Sequence, residues 1–297
     1  MRSSSNSGVP ERDTDRTQKL NEKRNGGHRP NRLFVVGIGP GNPEHLTRRA
    51  TDILGSVEVV AGYSPYIELI RALVDGKEII STGMTKEVAR VEAAIDKALS
   101  GKSCAIVSSG DPGIYAMAGL VFETCQIKGV AIAGPHSKSR SGNDDNALTI
   151  EVVPGIPALG AGAALLGAPL THDFAAVSLS DLLTPWELIE KRLEAAARAD
   201  FVIVLYNPKS KKRDWQLKKA QEIILQHRAG DTAVGIVARA MREGQRIDII
   251  TLDKLHTSAV DMQTTVFIGN STSRKYLDFM YTPRGYAKKY RIKENVE

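Results

Sequence analysis

Short apolar runs alternate with amphipathic segments through the first half of this chain, and this alternation restricts the fold more than any other feature. The runs are rich in Val, Ile and Ala, and the segments between them are long enough for a helix. Strands separated by helices favour a parallel, doubly wound sheet, because each crossover helix covers one face of the sheet. The predicted strands are 33–38, 57–61, 78–81, 104–108 and 150–153, and the predicted helices are 42–54, 66–74, 86–99, 113–125 and one that begins at Pro154.

The second half of the chain has a different pattern, in which apolar runs follow one another at more even spacing. This pattern predicts a mixed sheet in a second α/β domain, and a length of 297 residues is ample for two domains. We place the N-terminal domain at residues 32–153 and the C-terminal domain at residues 154–297. Strands are predicted at 174–180, 201–206, 232–238, 247–252 and 264–269, and helices at 186–199 and 215–226.

The formal net charge of +6 is unevenly distributed. Residues 1–32 contain eight basic and four acidic residues, so +4 of the charge lies there and only +2 on the remaining 265 residues. Because residues 1–31 contain almost nothing to bury, they are predicted to form a disordered basic tail, and residues 134–146 a polar loop. The nearly neutral remainder argues against nucleic acid as a partner.

One uncharged stretch, Val152 to Thr171, is long enough to span a membrane. It contains four glycines and three prolines and lacks flanking aromatic residues, so a buried helix with turns at both ends is the better interpretation. Since the N-terminus also lacks the apolar core of a signal peptide, we expect a soluble, cytoplasmic protein with no membrane partner. Two cysteines are too few for a disulfide scaffold, and Cys104 is interpreted as a small buried thiol.

Three segments rich in glycine and proline each follow a predicted strand: Gly37-Ile-Gly-Pro-Gly41, Ser108-Ser-Gly-Asp-Pro-Gly-Ile-Tyr115 and Val153-Pro-Gly-Ile-Pro-Ala158. Open α/β sheets bind ligands at the carboxyl ends of their strands. A dinucleotide fingerprint fails here, because Asn42 stands where a third glycine is needed and Pro40 lacks a backbone N–H. Each segment alone is either a tight structural turn or part of a ligand site; the three together favour a crevice for a nucleoside-type ligand.

Side chains suited to metal binding or nucleophilic catalysis show no recognisable spacing. The six histidines form neither an HxH nor an HExxH pattern, which argues against a protein metal site, and the chain contains no GxSxG motif. His172, beside Asp173, is the histidine with the most motif-like setting. The basic run 209–213 is either a solvated helix start or a receiver for an acidic ligand.

Taken together, these segments resemble the tetrapyrrole (corrin/porphyrin) methyltransferase family. The resemblance extends from Leu33 to Tyr286, and a closer likeness is to the branch that methylates carbon 17 of a corrin precursor. The segments that carry the family resemblance are 37–41, 109–112, 153–158 and 264–269, and those that carry the closer likeness are 83–87, 167–173, 178–186, 205–210 and 282–286.

The family resemblance implies a two-domain enzyme, usually a homodimer, that binds S-adenosylmethionine between its domains. The branch implies methylation of precorrin-3B, or of its cobalt form, at carbon 17 with ring contraction, in cobalamin (vitamin B12) biosynthesis. The alternatives are methylation of another ring carbon of a corrin or porphyrin precursor, or a relative of the same fold that modifies RNA or protein. By resemblance, the cofactor contacts fall on Pro40, Gly110, Asp111, Ile114, Tyr115, Pro157, Ala158, Tyr206, Asn207, Arg239 and Ala240.

The resemblance is less informative about proton transfer. Related uroporphyrinogen enzymes have an acidic residue where this chain has Tyr63 and a lysine near Lys86, so both residues are candidates. His172 and Asp173 are candidates on the same footing. The implied substrate is a macrocycle with many carboxylates, which would account for basic residues on the folded part of the chain.

Overall fold

The computed structural model describes residues 31–134, 147–210 and 213–290, except for the side chain of Lys288. Residues 1–30 of the predicted tail and 135–146 of the predicted loop lie outside the described residues. Asn31, which the composition assigned to the tail, is 4% exposed, and its carbonyl accepts a hydrogen bond from the Thr149 N–H (2.9 Å). The folded part of the chain therefore includes Asn31.

A sheet of six strands forms the first half of the molecule. Its strands are β1 (Arg32–Gly37), β2 (Val59–Tyr63), β3 (Glu78–Thr82), β4 (Cys104–Ser108), β5 (Ile132–Ala133) and β6 (Leu148–Val153). All pairings are parallel, in the order β3-β2-β4-β1-β6-β5, so the predicted parallel sheet is confirmed. Successive residues of β1 enter apolar clusters on opposite faces, Leu33 on one and Phe34 on the other, because helices cover both faces.

Helices connect these strands, and several begin or end away from the predicted positions. They are α1 (Arg48–Ser56), α2 (Ser64–Leu69), α3 (Glu87–Leu99) and α4 (Met117–Ile127), with 3-10 turns at Pro43–His45 and Arg71–Leu73. The predicted 42–54 helix is two pieces, because Thr47 accepts a hydrogen bond from the Ala50 N–H (3.1 Å) and starts a new helix. Helix α4 begins four residues late, since Tyr115 has a left-handed φ of 50°.

Two further expectations about this half were wrong in detail. The predicted 66–74 helix begins at Ser64, where Pro65 favours a first turn, and it ends at Leu69 before a separate 3-10 turn. Val88, which the periodicity placed on the apolar face of α3, is 55% exposed. It lies in the first turn of the helix, ahead of the residues Val91, Ala94 and Ile95 that contact the sheet.

The remaining elements form a second sheet and a small third one. The strands are β7 (Gly167–Ala168), β8 (Phe174–Ser178), β9 (Val202–Tyr206), β10 (Ala233–Ala238), β11 (Arg246–Thr251), β12 (Thr264–Ile268), β13 (Arg274–Tyr276) and β14 (Phe279–Tyr281). The second sheet has the order β11-β10-β12-β9-β8, with β8 and β9 parallel and the other pairs antiparallel. The predicted mixed sheet is confirmed. The third sheet is β13-β14-β7.

The helices of this half are α5 (Ala158–Leu166), α6 (Trp186–Arg198), α7 (Gln216–Leu225) and α8 (Tyr286–Tyr290), with a 3-10 segment at Leu252–Thr257. Helix α5 packs on the second sheet, where Leu166 shares an apolar cluster with Val204 and Phe267. It begins at Ala158 rather than Pro154, because the intervening residues form a turn. Among the described residues, no helix has the length and apolar character needed to cross a membrane.

Candidate functional site

The three glycine- and proline-rich segments lie side by side at one edge of the first sheet. They follow β4, β1 and β6, which are neighbours in the sheet. Backbone hydrogen bonds join the first two: the Gly39 N–H donates to the Gly110 carbonyl (3.1 Å) and the Gly110 N–H to the Gly39 carbonyl (2.7 Å). The segments therefore form one continuous surface, which we call the three-turn edge.

The third turn packs against the other two by direct backbone contact. A Cβ atom built on Gly155 would lie 2.2 Å from the Gly110 carbonyl oxygen and 2.9 Å from the Gly37 carbonyl carbon. Any side chain at position 155 would force the turns apart. Gly110 has a left-handed φ of 69°, and a Cβ there would lie 3.7 Å from the Ala158 nitrogen, in the space between the second and third turns.

Asp111 holds the second and third turns together. One carboxylate oxygen accepts a hydrogen bond from the Gly113 N–H (2.8 Å) and the other from the Gly155 N–H (3.1 Å). Both bonds have a charged acceptor, which makes them stronger than bonds between neutral groups. Asp111 therefore stabilises the arrangement of the second and third turns at the three-turn edge.

The second sheet contributes Tyr206 to this edge, at the end of β9. The Tyr206 ring contacts the Tyr115 ring at a centroid distance of 5.0 Å, and its hydroxyl oxygen accepts a hydrogen bond from the Leu159 N–H (2.9 Å) in the first turn of α5. Burial raises the pKa of the Tyr206 hydroxyl to about 12. It is protonated at neutral pH, so its own O–H can donate to a ligand. The Tyr115 hydroxyl donates to the Ala176 carbonyl (2.9 Å).

Three of the residues predicted to bind the cofactor have strained backbones. Tyr115, Asn207 and Arg239 have φ of 50°, 51° and 50°, and they are three of the seven non-glycine residues with positive φ in the described part of the chain. Such conformations cost about 1–3 kcal/mol each and concentrate at functional sites. The Asn207 amide donates to the Ser178 hydroxyl (2.9 Å), and its carbonyl accepts from Arg213 (2.8 Å).

Arg213 is one functional residue whose task the sequence did not reveal. Its run of basic residues was interpreted as a solvated helix start or a receiver for an acidic ligand. Arg213 is instead 7% exposed and holds the left-handed backbone of Asn207 in place. Residues 211–212 lie outside the described ranges.

Arg242 is a second residue that sequence reasoning missed. It follows β10, and its guanidinium donates to the Pro40 carbonyl and to the Ser109 hydroxyl, on the first and second turns. Burial lowers the pKa of this guanidinium, which nevertheless stays charged. Arg242 thus joins the second sheet to the three-turn edge. A contact across 202 positions leaves no local signal in the sequence.

The other predicted cofactor residues occupy the same region. Pro40 is buried in the first turn, and Ile114 is half-buried beside Tyr115. Pro157 and Ala158 begin α5. Gly110, Asp111 and Tyr115 lie on the second turn, Tyr206 contacts Tyr115, and Ala240 packs in the same apolar cluster as Tyr206. Asn207 and Arg239 are the chain neighbours of Tyr206 and Ala240, and their side chains donate to Ser178 and Gln263.

The four candidates for proton transfer are divided between two places. Tyr63 ends β2 and Lys86 precedes α3, so both lie at the carboxyl edge of the first sheet, where the three turns also lie. His172 and Asp173 precede β8, whose other end is Ser178. Three residues along β8, about 10 Å, separate Asp173 from Ala176, which accepts the hydrogen bond of the Tyr115 hydroxyl. Among the hydrogen bonds of the described residues, none joins His172 or Asp173 to the three-turn edge.

The described residues contain no group of three or more His, Cys, Asp and Glu side chains placed to share a metal ion. Cys104 is fully buried in β4, and burial raises the pKa of its thiol to about 12. Its interpretation as a small buried thiol therefore fits the structure, and a buried thiol that stays protonated is inert.

Comparison with known proteins decides the family. The family model of the tetrapyrrole (corrin/porphyrin) methylases matches residues 32–256. The chain belongs to this family. The resemblance seen in the sequence is confirmed, and the chain is a methyltransferase.

Several members of the family are similar to this chain over most of its length. It is 46% identical over 266 residues to a cobalt-factor III methyltransferase of Priestia megaterium, a match that covers 90% of this chain and 47% of that protein. It is 41% identical to a probable cobalt-factor III C(17)-methyltransferase of Salmonella typhimurium, covering 86% of this chain and 99% of that protein. A precorrin-3B C(17)-methyltransferase of Sinorhizobium sp. is 37% identical, with 86% and 97% covered. The chain thus spans about half of the first relative and nearly all of the other two.

Solved structures of the family have the same fold. The crystal structure of the methyltransferase CobJ superimposes with a TM-score of 0.74 at 34% identity, covering 84% of this chain and 99% of that one. A uroporphyrin-III C-methyl transferase from Thermus thermophilus, complexed with S-adenosylhomocysteine, has a TM-score of 0.60 at 23% identity, covering 80% and 97%. The second likeness supports the fold alone.

Proposed function

We propose that this methyltransferase uses S-adenosylmethionine to methylate carbon 17 of precorrin-3B or its cobalt form, cobalt-factor III, with ring contraction, in cobalamin biosynthesis. The observation that carries the proposal is the match to proteins named C(17)-methyltransferases over almost their entire length. The contacts of the three-turn edge support it: Tyr115 on this edge contacts Tyr206 of the second sheet, and Arg242 bonds to two of the turns, so ligands held there would lie between the two sheets, in a space that we call the crevice.

The residues of the three-turn edge fit S-adenosylmethionine. Gly110 leaves open the space between the second and third turns that a Cβ would occupy, so a ligand can approach the backbone closely there. Tyr115 is 54% exposed at the rim and presents an aromatic face, and the Tyr206 hydroxyl has a proton to donate. We therefore assign the cofactor contacts to the eleven residues that the family resemblance indicated.

When bound, S-adenosylmethionine supplies an electrophilic methyl group, and the substrate supplies the carbon nucleophile. The task of the chain is to hold the two in line, which contributes much of the rate in reactions of this type. Strained backbones at Tyr115, Asn207 and Arg239 fix the shape of the crevice before any ligand binds. Ring contraction also requires proton transfer, which we assign to Tyr63 or Lys86 because both lie at the same edge. We leave His172 and Asp173 out, since they lie at the far end of β8.

The decisive experiment incubates the purified chain with cobalt-factor III and S-adenosylmethionine carrying a carbon-13 methyl group. We expect the product to gain one methyl group by mass, and NMR to place the label at carbon 17. Metal-free precorrin-3B is tested in parallel. Label at a different ring carbon would support the alternative of another methylation position, and transfer to RNA or protein with none to either corrinoid would refute the proposal.

Three further properties belong to the proposal. The division into domains at residues 153 and 154 is supported by the packing of α5 on the second sheet, and limited proteolysis checks it.

A homodimer is supported by exposed apolar side chains on the β13–β14 hairpin, where Tyr276, Leu277 and Phe279 are 66%, 70% and 53% exposed. Light scattering on the purified protein measures the mass. The proposed activity places the chain in the cytoplasm, where its methyl donor is made, and cell fractionation tests this.

A further inference from the structure

Arg90, in the first turns of α3, is a buried guanidinium with only neutral partners. It is 3% exposed. Its Nε donates to the Thr82 hydroxyl (2.8 Å) and one terminal nitrogen to the Gly83 carbonyl (3.2 Å), while the other lies 3.9 Å from the Met117 sulfur. Sulfur is a weak acceptor, so this last nitrogen is poorly satisfied.

A second arginine lies near the same place. Arg242 donates to the Pro40 carbonyl and the Ser109 hydroxyl, which are also neutral acceptors. Tyr63 is the partner of Thr82 in the register of β2 and β3, and Thr82 accepts the Arg90 hydrogen bond. Helix α2, which contains Tyr66, contributes Leu69 to a cavity that Arg242 also lines. Burial raises the pKa of the Tyr66 hydroxyl, and the positive charges of Arg242 and Arg90 oppose that rise. Tyr66 in turn packs edge-on against Tyr63 at a centroid distance of 5.2 Å. We call Arg90, Arg242, Tyr63 and Tyr66 the arginine–tyrosine cluster.

Within residues 31–134, 147–210 and 213–290, neither arginine of this cluster forms an ion pair with a carboxylate. Glu87 lies one turn before Arg90 in α3, and its carboxylate accepts a hydrogen bond from the Thr85 N–H (3.2 Å). Buried charges in proteins are normally paired, because removing an unpaired charge from water costs several kcal/mol. The cluster therefore has the electrostatics of a site that awaits an anion.

The position of the cluster indicates which molecule would supply that anion. Thr82 and Tyr63 end β3 and β2, so the cluster borders the three-turn edge, and Arg242 contacts two of the three turns directly. The cofactor has one carboxylate, whereas a tetrapyrrole has several. We propose that Arg90 and Arg242 bind carboxylate side chains of the tetrapyrrole and so set its orientation relative to the methyl donor. This rests on the proposed function and names the part of the substrate that is recognised.

Titration with uroporphyrin III, a stable fluorescent tetrapyrrole with eight carboxylates, tests this proposal at fixed ionic strength and without cofactor. Arg90→Met keeps the apolar stem of the side chain but removes its charge and donors, and we expect the affinity to fall about tenfold or more. Arg90→Lys, which keeps the charge without the planar fork, is expected to fall between wild type and Arg90→Met. Affinity for S-adenosylhomocysteine is expected to change less than twofold in both variants.

Two matched variants separate recognition from architecture. Thr82→Val removes the neutral partner of the Arg90 Nε and leaves the guanidinium in place, so a site for carboxylates keeps its affinity. Arg71→Met removes a charge from the same part of the domain, but Arg71 is exposed and paired with Glu68, so affinity is expected to be unchanged. If Thr82→Val reproduces the loss seen in Arg90→Met, Arg90 only shapes the end of β3 and the proposal is wrong.

Further outcomes are equally decisive. Wild-type affinity in a folded Arg90→Met protein would overturn the proposal; if that variant does not fold, Arg90→Lys must still bind uroporphyrin III more weakly than wild type, and wild-type affinity in Arg90→Lys would overturn the proposal. The KM of each folded variant for cobalt-factor III separates a failure of the carboxylate site from a failure of the proposed function. Methylation with an unchanged KM in Arg90→Met refutes the carboxylate site alone, whereas no methylation of either corrinoid by wild type refutes the proposed function.

Discussion

At the scale of single residues, the Tyr206 hydroxyl stabilises the start of α5. It accepts the hydrogen bond of the Leu159 N–H, in the first turn of α5. Tyr206→Phe leaves that N–H without its acceptor, which costs about 1–3 kcal/mol. We expect a lower thermal midpoint and about tenfold weaker binding of S-adenosylhomocysteine, measured by calorimetry.

Tyr290→Phe is the matched control, because Tyr290 is 62% exposed and lies in α8, outside the β13–β14 hairpin. Its hydroxyl is expected to contribute nothing to either measurement. Equal effects of the two substitutions would show that the hydrogen bond to Leu159 contributes neither to stability nor to the affinity for S-adenosylhomocysteine.

Cys104 gives a prediction about pH. Burial raises the pKa of its thiol from an ordinary value of 9.0 to about 12, so the native chain holds this proton more tightly than the unfolded chain does. The resulting stabilisation is complete below about pH 9 and is lost as the pH rises towards 12. We expect the thermal midpoint to decrease above pH 9, and to decrease less steeply in Cys104→Ala.

Alkylation provides an independent check on the two thiols. Cys104 and Cys125 are at most 1% exposed. Iodoacetamide at pH 8 is expected to label both in denaturant and neither in the native protein, as read by mass spectrometry. Rapid labelling of native Cys104 would contradict its burial.

At the scale of elements, the three turns act as one unit, because the Gly39–Gly110 backbone bonds join the first turn to the second and Asp111 joins the second to the third. Asp111→Ala removes both acceptors, whereas Asp111→Asn keeps one oxygen and loses the other bond and the charge. Bonds to charged groups contribute about 1.5–3 kcal/mol each. We therefore expect S-adenosylhomocysteine to bind about tenfold more weakly to the Asn variant and more weakly still to the Ala variant.

The control is Asp52→Ala, since Asp52 is exposed on α1 and its ion pair with Arg48 (3.0 Å) lies at the surface. It is expected to bind S-adenosylhomocysteine like wild type. Unchanged affinity in Asp111→Ala would mean that the turns keep their arrangement without the carboxylate.

Elements with a strong local pattern could be predicted, and those defined by a partner could not. Strand β4 was placed at its observed bounds, because a buried parallel strand has an unbroken apolar run. Strands β7, β13 and β14 have two or three residues each and exist through their pairing with one another. The second start at Thr47 was missed because the apolar period continues through it, whereas the capping bond depends on one hydroxyl.

At the scale of the whole molecule, Arg242 connects the second sheet to the first. Arg242→Met removes its bonds to Pro40 and Ser109 but keeps most of the packing of the side chain. We expect this variant to bind S-adenosylhomocysteine at least about tenfold more weakly, because the two sides of the crevice are no longer held at a fixed distance. Calorimetry measures the affinity.

Arg246→Met serves as the control. Arg246 begins β11, only four positions along the chain, and its charge is paired with Asp248 (2.9 Å) at the surface. We expect its affinity for S-adenosylhomocysteine to equal that of wild type. An equal loss in both variants would point to net charge rather than to the connection between the sheets.

The candidate site shows the same division between local and distant information. The three turns could be recognised because each is a short contiguous motif after a strand, and the family resemblance then placed the cofactor contacts. Arg90, Arg213 and Arg242 were missed, since their partners are set by the fold. His172 and Asp173 had a motif-like sequence, but the direction of β8 carries them away from the three-turn edge.

The contact between Gly155 and the Gly110 carbonyl also limits how this enzyme can evolve. A single methyl group at position 155 would separate the turns, so substitutions at this position cannot reshape the base of the crevice without disrupting it. New substrate preferences must arise instead at the rim, where side chains such as Tyr115 meet solvent. Descendants of this chain would then share one methyl-donor site and diverge in the macrocycle they accept.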